Sequence, residues 1–191
     1  MTEICQIIHK CRKELRDVST NDQGVTMIDS DLVVISYDDV VKEHARYRGY
    51  PPALSSNDAL FFDPKGHCTF IEFKNGAFKA KDLHEKSRES ILIALDFKLA
   101  KSLHDIQTHG TYILVYNPEK VLKQRTDSME LNAIFNDINI KANALETALK
   151  DRLAPQRWLF KEAYAFTSNE FVEYIKEKNI TTDIPSIRYE D

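Results

Sequence analysis

The sequence predicts an α/β protein, organised as an α/β/α sandwich around a central mixed β-sheet. Three patterns indicate this: apolar residues recur at helical spacing in several segments, two short apolar runs flank the turn DPKG, and the run TYILVY is nearly uninterrupted. Helices and strands alternate along α/β domains, and an uninterrupted apolar strand is typical of a sheet covered on both faces. A chain of 191 residues is long enough for one such core, so we expect a single domain over residues 1–191.

The composition is that of a folded globular protein. Hydrophobic residues make up 42% and charged residues 29% of the chain, with only 5 Gly and 6 Pro. Charges interrupt the apolar residues of the N-terminal segment MTEICQIIHKCRKEL, which argues against a signal peptide or a membrane span. The 3 cysteines form no CxxC pair, as expected of reduced thiols. We therefore expect a cytoplasmic protein that does not contact a membrane.

Two helices are predicted in the first quarter of the chain. Residues 3–16 carry an apolar stripe at helical spacing, formed by Ile4, Ile7, Ile8, Cys11 and Leu15. In the segment ISYDDVVKEHARYRG, Ser36 and Asp39 have the spacing of a capping box, and Gly49 is a stop signal. The second helix should therefore run between Ser36 and Gly49.

The rest of the chain predicts three helices and two strands beyond the DPKG hairpin. Residues 82–104 form the longest predicted helix, with a stripe of Leu92, Leu95, Leu99 and Leu103. The strand TYILVY follows and is closed by Asn-Pro, and residues 128–152 have apolar residues at less regular helical spacing. A strand near WLFKEAYAF then leads to a terminal helix, which Thr167 and Glu170 should cap.

The charge distribution singles out one part of the chain. The formal net charge of −4 gives no support to a generally basic coat for nucleic acid. From Pro64 to Arg88, however, six basic residues face three acidic ones, which leaves +3 there and −7 elsewhere. We interpret part of this excess as a nucleic-acid contact made by Lys79, Lys81, Lys86 and Arg88. An ordinary solvated helix face is the alternative.

The turn DPKG predicts the register of its hairpin. Asp, Pro and Gly stand where a type I turn prefers them, and Gly66 can adopt the positive φ of a G1 bulge. Such a bulge pairs Phe62 with Cys68 and, four residues further along each strand, Asp58 with Glu72. The two carboxylates should therefore share one face of the sheet.

Three charged residues on that face raise the question of a site. Lys74 lies two residues beyond Glu72 and so joins Asp58 and Glu72 on the same face. Facing carboxylates repel each other, and a divalent cation such as Mg²⁺ would compensate. The Lys74 ammonium could hold a water molecule or a phosphate. Alternatively, Asp58 caps the loop SSND, and Glu72 and Lys74 form a solvated edge.

Asp58, the hairpin and the sequence Glu72-Phe-Lys74, followed by a basic helix and a buried strand, resemble the PD-(D/E)XK nuclease-like superfamily. The resemblance covers about residues 36–117 and implies a restriction-endonuclease-like core, in the order helix, strand, strand, strand, helix, strand. The N-terminal helix and the C-terminal strand and helix would be additions to this core. Asn57 stands where the motif has proline, which is a common variation.

The resemblance also implies functional roles. Asp58 and Glu72 would bind Mg²⁺ or Mn²⁺, Lys74 would assist the attacking water, and Glu43 on the first core helix is a candidate for a further acidic ligand. The expected activity is metal-dependent phosphodiester hydrolysis of nucleic acid, with DNA as the first substrate to test.

Two other functional hypotheses remain open. The acidic net charge and the lack of a separate DNA-reading module also suit a non-catalytic interaction or regulatory protein on the same scaffold. Such a protein would act through a protein partner or a homo-oligomer. A small-molecule-binding domain that uses the same cleft is the third hypothesis.

Overall fold

A six-stranded mixed sheet forms the centre of the structure, a computed structural model that describes residues 3–51, 54–120, 149 and 151–178. In spatial order, which is also chain order, the strands are β1 (Arg12–Glu14), β2 (Val33–Ser36), β3 (Ala59–Phe62), β4 (Cys68–Lys74), β5 (Thr111–Tyr116) and β6 (Glu162–Phe166). Neighbouring strands from β1 to β4 are antiparallel, whereas β4, β5 and β6 run parallel. The predicted α/β class with a central mixed sheet is confirmed.

Helices cover both faces of this sheet. They are α1 (Glu3–Lys10), α2 (Leu15–Val18), α3 (Tyr37–Arg48), α4 (Ala80–Asp96), α5 (Leu103–His109) and α6 (Ser168–Glu177), with a 3-10 helix at Ala154–Trp158. One core cluster joins the sheet to α1, α3 and α4 and includes Ile8, Tyr37, Leu60, Phe70 and Leu83. A second cluster joins the opposite face to α2 and α6 and includes Leu15, Ala59, Ile71, Ile113 and Phe171. Within the described residues, no helix is long and apolar enough to cross a membrane.

The predicted N-terminal helix over residues 3–16 is wrong in its second half. Helix α1 ends at Lys10, and Arg12–Glu14 forms the edge strand β1 on β2, a strand that the sequence patterns did not reveal. Leu15 then packs in the core cluster on the opposite sheet face from Ile8 and Cys11. A straight helix would place all three side chains on one stripe, so strand pairing overrides the helical spacing here.

Helix α3 confirms the predicted second helix, although its start differs in detail. It ends at Arg48, directly before the predicted stop residue Gly49, which caps the helix in the left-handed conformation with φ 70°. Among the described residues the Ser36 side chain makes no cap hydrogen bond, and the Asp39 carboxylate pairs with Lys13 at 2.5 Å. The predicted capping box is therefore replaced by an ion pair to β1.

The predicted helix over residues 82–104 is two helices in the structure. Helix α4 ends at Asp96, and a separate helix α5 starts after Ser102, whose hydroxyl accepts a hydrogen bond from the Asp105 N–H. The leucine stripe is also wrong, because Leu92 is 63% exposed. The buried face of α4 instead carries Leu83, Ser87, Ser90, Ile91, Ile93 and Ala94. Its buried serines hid this face from a search for apolar spacing.

The C-terminal predictions hold where the structure describes the chain. Strand β6 is followed by α6, and the Thr167 and Glu170 side chains form both hydrogen bonds of the capping box. The predicted helix over residues 128–152 lies outside the described residues, apart from residues 149, 151 and 152.

The hairpin has the predicted turn and register. The Gly66 N–H donates to the Asp63 carbonyl at 2.9 Å, the Asp63 N–H donates to the His67 carbonyl at 3.0 Å, and Gly66 has φ 85°. Phe62 pairs with Cys68, as the bulge requires. This turn fixes which residues of β3 and β4 share a face.

Replacing Gly66 should test this constraint. Gly66→Ala places a side chain at positive φ and should lower the free energy of unfolding by about 1–2 kcal/mol, measured by urea denaturation. Gly76→Ala is the matched control, because Gly76 lacks positive φ and an added Cβ meets no atom within 4 Å. Equal effects of the two substitutions would contradict the bulge.

Candidate functional site

Four charged side chains meet where β4 ends beneath α4. Asp58 immediately precedes β3, Glu72 and Lys74 lie near the end of β4, and Lys86 reaches them from α4. We call these four residues the carboxylate–lysine cluster. The structure thus brings together the three residues of the predicted motif and adds Lys86, which the sequence had suggested only as a nucleic-acid contact.

Glu72 is the buried centre of the cluster. Its side chain is 0% exposed, and its Oε1 atom lies 2.6 Å from Lys74 Nζ and 2.8 Å from Lys86 Nζ. The other oxygen, Oε2, accepts a hydrogen bond from Asn57 Nδ2 at 3.2 Å. A buried carboxylate is stable only when its charge and its lone pairs have partners, and these three contacts supply them.

Asp58 joins the cluster through its side chain rather than through the sheet ladder. The ladder between β3 and β4 ends at the pair Ala59 and Ile71, so the predicted backbone pair of Asp58 with Glu72 does not form. Instead, Asp58 Oδ2 accepts the Phe73 N–H at 2.6 Å, a hydrogen bond that a main-chain carbonyl would accept in a continuing ladder. Asp58 Oδ1 lies 3.5 Å from Lys86 Nζ, which places both carboxylates around one ammonium.

Burial controls the ionisation of Asp58. Burial first, and the Glu72 charge second, raise the pKa of Asp58 from an ordinary 3.8 to about 7, against the opposing effects of Lys86 and the Phe73 N–H. Burial disfavours the Lys86 ammonium, but the Glu72 and Asp58 carboxylates outweigh this effect and raise the pKa of Lys86. Near neutral pH the cluster therefore holds a charged lysine beside a carboxyl group that readily changes its protonation.

A second layer of polar groups supports the cluster. The Asn57 N–H donates to Ser90 Oγ at 2.8 Å, and the Tyr37 hydroxyl donates to the Ser90 carbonyl at 2.7 Å. The first bond ties the loop before β3 to helix α4, and the second ties the start of α3 to the same helix. Asn57 Oδ1 and the Tyr112 hydroxyl are buried and find no hydrogen-bond partner among the described residues. Burial, reinforced by Glu72 and Asp58, raises the pKa of Tyr112 well above its ordinary value.

Sequence reasoning missed this layer. Ser90 follows Lys86 by four residues and so lies on the same side of α4, and this spacing could have pointed to Ser90. Tyr112 comes near Glu72 and Asp58 because β5 pairs with β4, and the sequence patterns do not specify this pairing.

Glu43 is not part of the cluster. It pairs with Arg46 at 3.0 Å, and no contact joins it to Asp58 or Glu72, all of which the structure describes. The charge of Glu43 acts instead on Cys11, whose thiol pKa it raises after the larger effects of burial and of Asp39. Asp38 is the acid of α3 whose charge acts on Lys86. Among the described residues, no three His, Cys, Asp or Glu side chains are grouped to hold a metal ion.

The remaining predicted nucleic-acid contacts lie on the outer side of α4 and just before it. Lys79, Lys81 and Arg88 are exposed, and Lys81 lies 3.5 Å from Glu85 on the same helix. An exposed pair of this kind adds little to stability and leaves the ammonium accessible.

The two carboxylates of the cluster offer the oxygen ligands that divalent cations prefer, but the Lys86 ammonium lies between them. Mg²⁺ prefers carboxylate oxygens at about 2.0–2.1 Å, shorter than the 2.8 and 3.5 Å that separate Lys86 Nζ from the two acids. A metal ion shared by Asp58 and Glu72 would therefore have to draw the oxygens closer and displace Lys86. No family model, curated protein or solved structure matches the chain.

The raised pKa of Asp58 predicts a pH-dependent stability. The folded protein binds the Asp58 proton more tightly than the unfolded chain, so this group makes the free energy of unfolding fall as the pH rises from about 4 to about 7. Asp58→Asn removes the buried charge and keeps an oxygen for the Phe73 N–H. Relative to wild type, it should gain about 1–3 kcal/mol between pH 5 and pH 8.

Urea denaturation in metal-free buffer at both pH values measures this effect. Asp29→Asn is the control, because the Asp29 side chain is 86% exposed and should show no such change. A stability difference between Asp58→Asn and wild type that is the same at pH 5 and pH 8 would contradict the raised pKa.

Proposed function

We propose that this protein is a metal-dependent nuclease that hydrolyses phosphodiester bonds in nucleic acid, with a restriction-endonuclease-like core. The observation that supports this most strongly is the carboxylate–lysine cluster. In it, two acids and Lys74 lie on one sheet face at the end of a strand, Lys86 reaches them from α4, and the central acid is fully buried. Charge kept in such a position costs stability, which is a common property of functional sites.

The two carboxylates would hold the metal ion. Mg²⁺ or Mn²⁺ bound by Asp58 and Glu72 would supply an activated water and neutralise charge on the phosphate. Asn57 fixes one oxygen of Glu72, so Oε1 is the oxygen available to a cation. Asp58 has the same arrangement, since the Phe73 N–H holds Oδ2 and leaves Oδ1 toward the cluster.

Lys74 would act on the reacting phosphate. Its side chain is 23% exposed, so its ammonium is reachable from solvent while it contacts Glu72. From this position it can orient the attacking water or stabilise negative charge that develops on the phosphate oxygens. The exposed Lys79, Lys81 and Arg88 would contact the phosphates of a bound strand.

One observation favours the non-catalytic alternative. Both carboxylates already face ammonium groups, so the cluster balances its own charge without a metal ion. A protein that had kept the scaffold for interaction alone could retain such a cluster as a purely structural ion pair. The two functions differ in whether Lys74 is needed for turnover.

A cleavage assay should separate them. Purified protein should cut DNA or RNA in the presence of Mg²⁺ or Mn²⁺ and lose this activity with EDTA. Lys74→Met should lower the rate by about 10²–10³-fold, the usual cost of losing one group that stabilises transition-state charge, while circular dichroism shows a retained fold. Lys101→Met is the control, because Lys101 is exposed, lies outside the cluster and is not among the proposed nucleic-acid contacts, so cleavage should stay close to wild type.

The variants also show whether an observed cleavage activity comes from this site. Equal cleavage by wild type and Lys74→Met would identify the activity as a contaminant or assign it to another site. If no DNA or RNA is cut with either metal, the interaction protein becomes the better hypothesis.

A further inference from the structure

The two lysines of the carboxylate–lysine cluster are not equivalent. Both ammonium groups contact the same oxygen of Glu72, at 2.6 Å from Lys74 and 2.8 Å from Lys86. Only Lys86 also reaches Asp58, at 3.5 Å. One buried oxygen thus holds two cations, and one of these cations bridges both acids.

Lys86 lies where a divalent cation shared by the two acids would have to bind. Asp58 Oδ1 and Glu72 Oε1, the carboxylate oxygens that accept no amide or backbone hydrogen bond within the cluster, both face its Nζ atom. An ammonium is a compact point charge with three donors, so it can substitute for a metal ion between two carboxylates. A metal ion and the Lys86 ammonium cannot occupy this position together, because each would need the same space between the same two oxygens.

We propose that Lys86 is a built-in counter-ion of the carboxylate pair. In the metal-free protein its ammonium bridges Asp58 and Glu72, and it competes directly with a divalent cation for their oxygens. This inference rests on the proposed function in one respect, namely that Asp58 and Glu72 together bind a divalent cation. It adds a regulatory property: the site is autoinhibited by its own lysine, and metal binding requires the displacement of that side chain.

The surroundings of Lys86 allow this displacement. Its side chain is 25% exposed, so the ammonium can leave the cluster for solvent without crossing the core. Asp38 on α3 already attracts it and is exposed, with Ser56 Oγ donating a hydrogen bond to its carboxylate. The displaced ammonium therefore has a second acidic partner at the rim, and a substrate phosphate would offer a third.

Lys74 cannot take over the role of Lys86. It contacts Glu72 but is not among the groups that contact Asp58 in the described residues. The ammonium that contacts both acids remains when Lys74 is replaced and is lost when Lys86 is replaced. The two variants should consequently differ in metal affinity even though each removes one positive charge.

Calorimetric titration of the metal-free full chain with MnCl₂ alone tests the inference. Lys86→Met should bind Mn²⁺ about tenfold more tightly than wild type, a typical size for coupling between two competing ligands. Lys86→Arg keeps the positive charge and should remain close to wild type. Lys74→Met should give a clearly smaller gain than Lys86→Met. Circular dichroism checks that each variant is folded, and Lys86→Gln replaces Lys86→Met if the latter does not fold.

The outcomes separate this inference from the nuclease proposal. If Lys86→Met binds Mn²⁺ no more tightly than wild type, or Lys74→Met equals it, the competing role of Lys86 is refuted even where wild type cuts nucleic acid. If Lys86→Met shows the gain while no variant cuts any substrate, the inference stands and the nuclease proposal fails. Absence of Mn²⁺ binding in every variant refutes the inference.

Discussion

The burial of the Glu72 carboxylate is the constraint on which the rest of the site depends. A carboxylate without solvent needs positive charge and hydrogen-bond donors within reach, and the surrounding chain is arranged to provide them. Asn57 contributes an amide, Lys74 an ammonium from the same strand, and Lys86 an ammonium from α4. Ser90 of α4 also accepts a hydrogen bond from the Asn57 N–H. The loop that supplies this amide to Glu72 is therefore held against the helix.

Local turn chemistry made part of the fold predictable. The residues of DPKG specify a turn and a bulge without help from distant contacts, and the register of β3 against β4 follows from them. The short strands β1 and β2 escaped notice because strands of three or four residues have no periodicity of their own and depend on each other for stability. Helix α4 was misjudged in its length and its buried face, since Ser87 and Ser90 replace apolar residues on the side that faces the core.

The sequence predicted those residues of the site that lie on one face of the hairpin. Alternation along the hairpin was enough to group Asp58, Glu72 and Lys74, but it could not show how Asp58 leaves the ladder to bind the Phe73 N–H. The position of Lys86 depends on how α4 crosses the sheet, which is a tertiary property. Glu43 failed to join the cluster for a similar reason: α3 buries Tyr37, Val40, Val41, His44 and Ala45, and the place where this buried face meets the sheet is a tertiary property.

We propose that Asp58 and Glu72 form one divalent-cation site, which Lys86 bridges in the metal-free protein. A crystal structure of the protein grown with Mn²⁺, with an anomalous difference map, measures this most directly. We predict an anomalous peak about 2.1–2.2 Å from Asp58 Oδ1 and Glu72 Oε1, close to the Mg²⁺ distance, with Lys86 Nζ moved away toward Asp38 or solvent. A map without a peak between the two acids, in which Lys86 keeps its contacts with both, would contradict the claim.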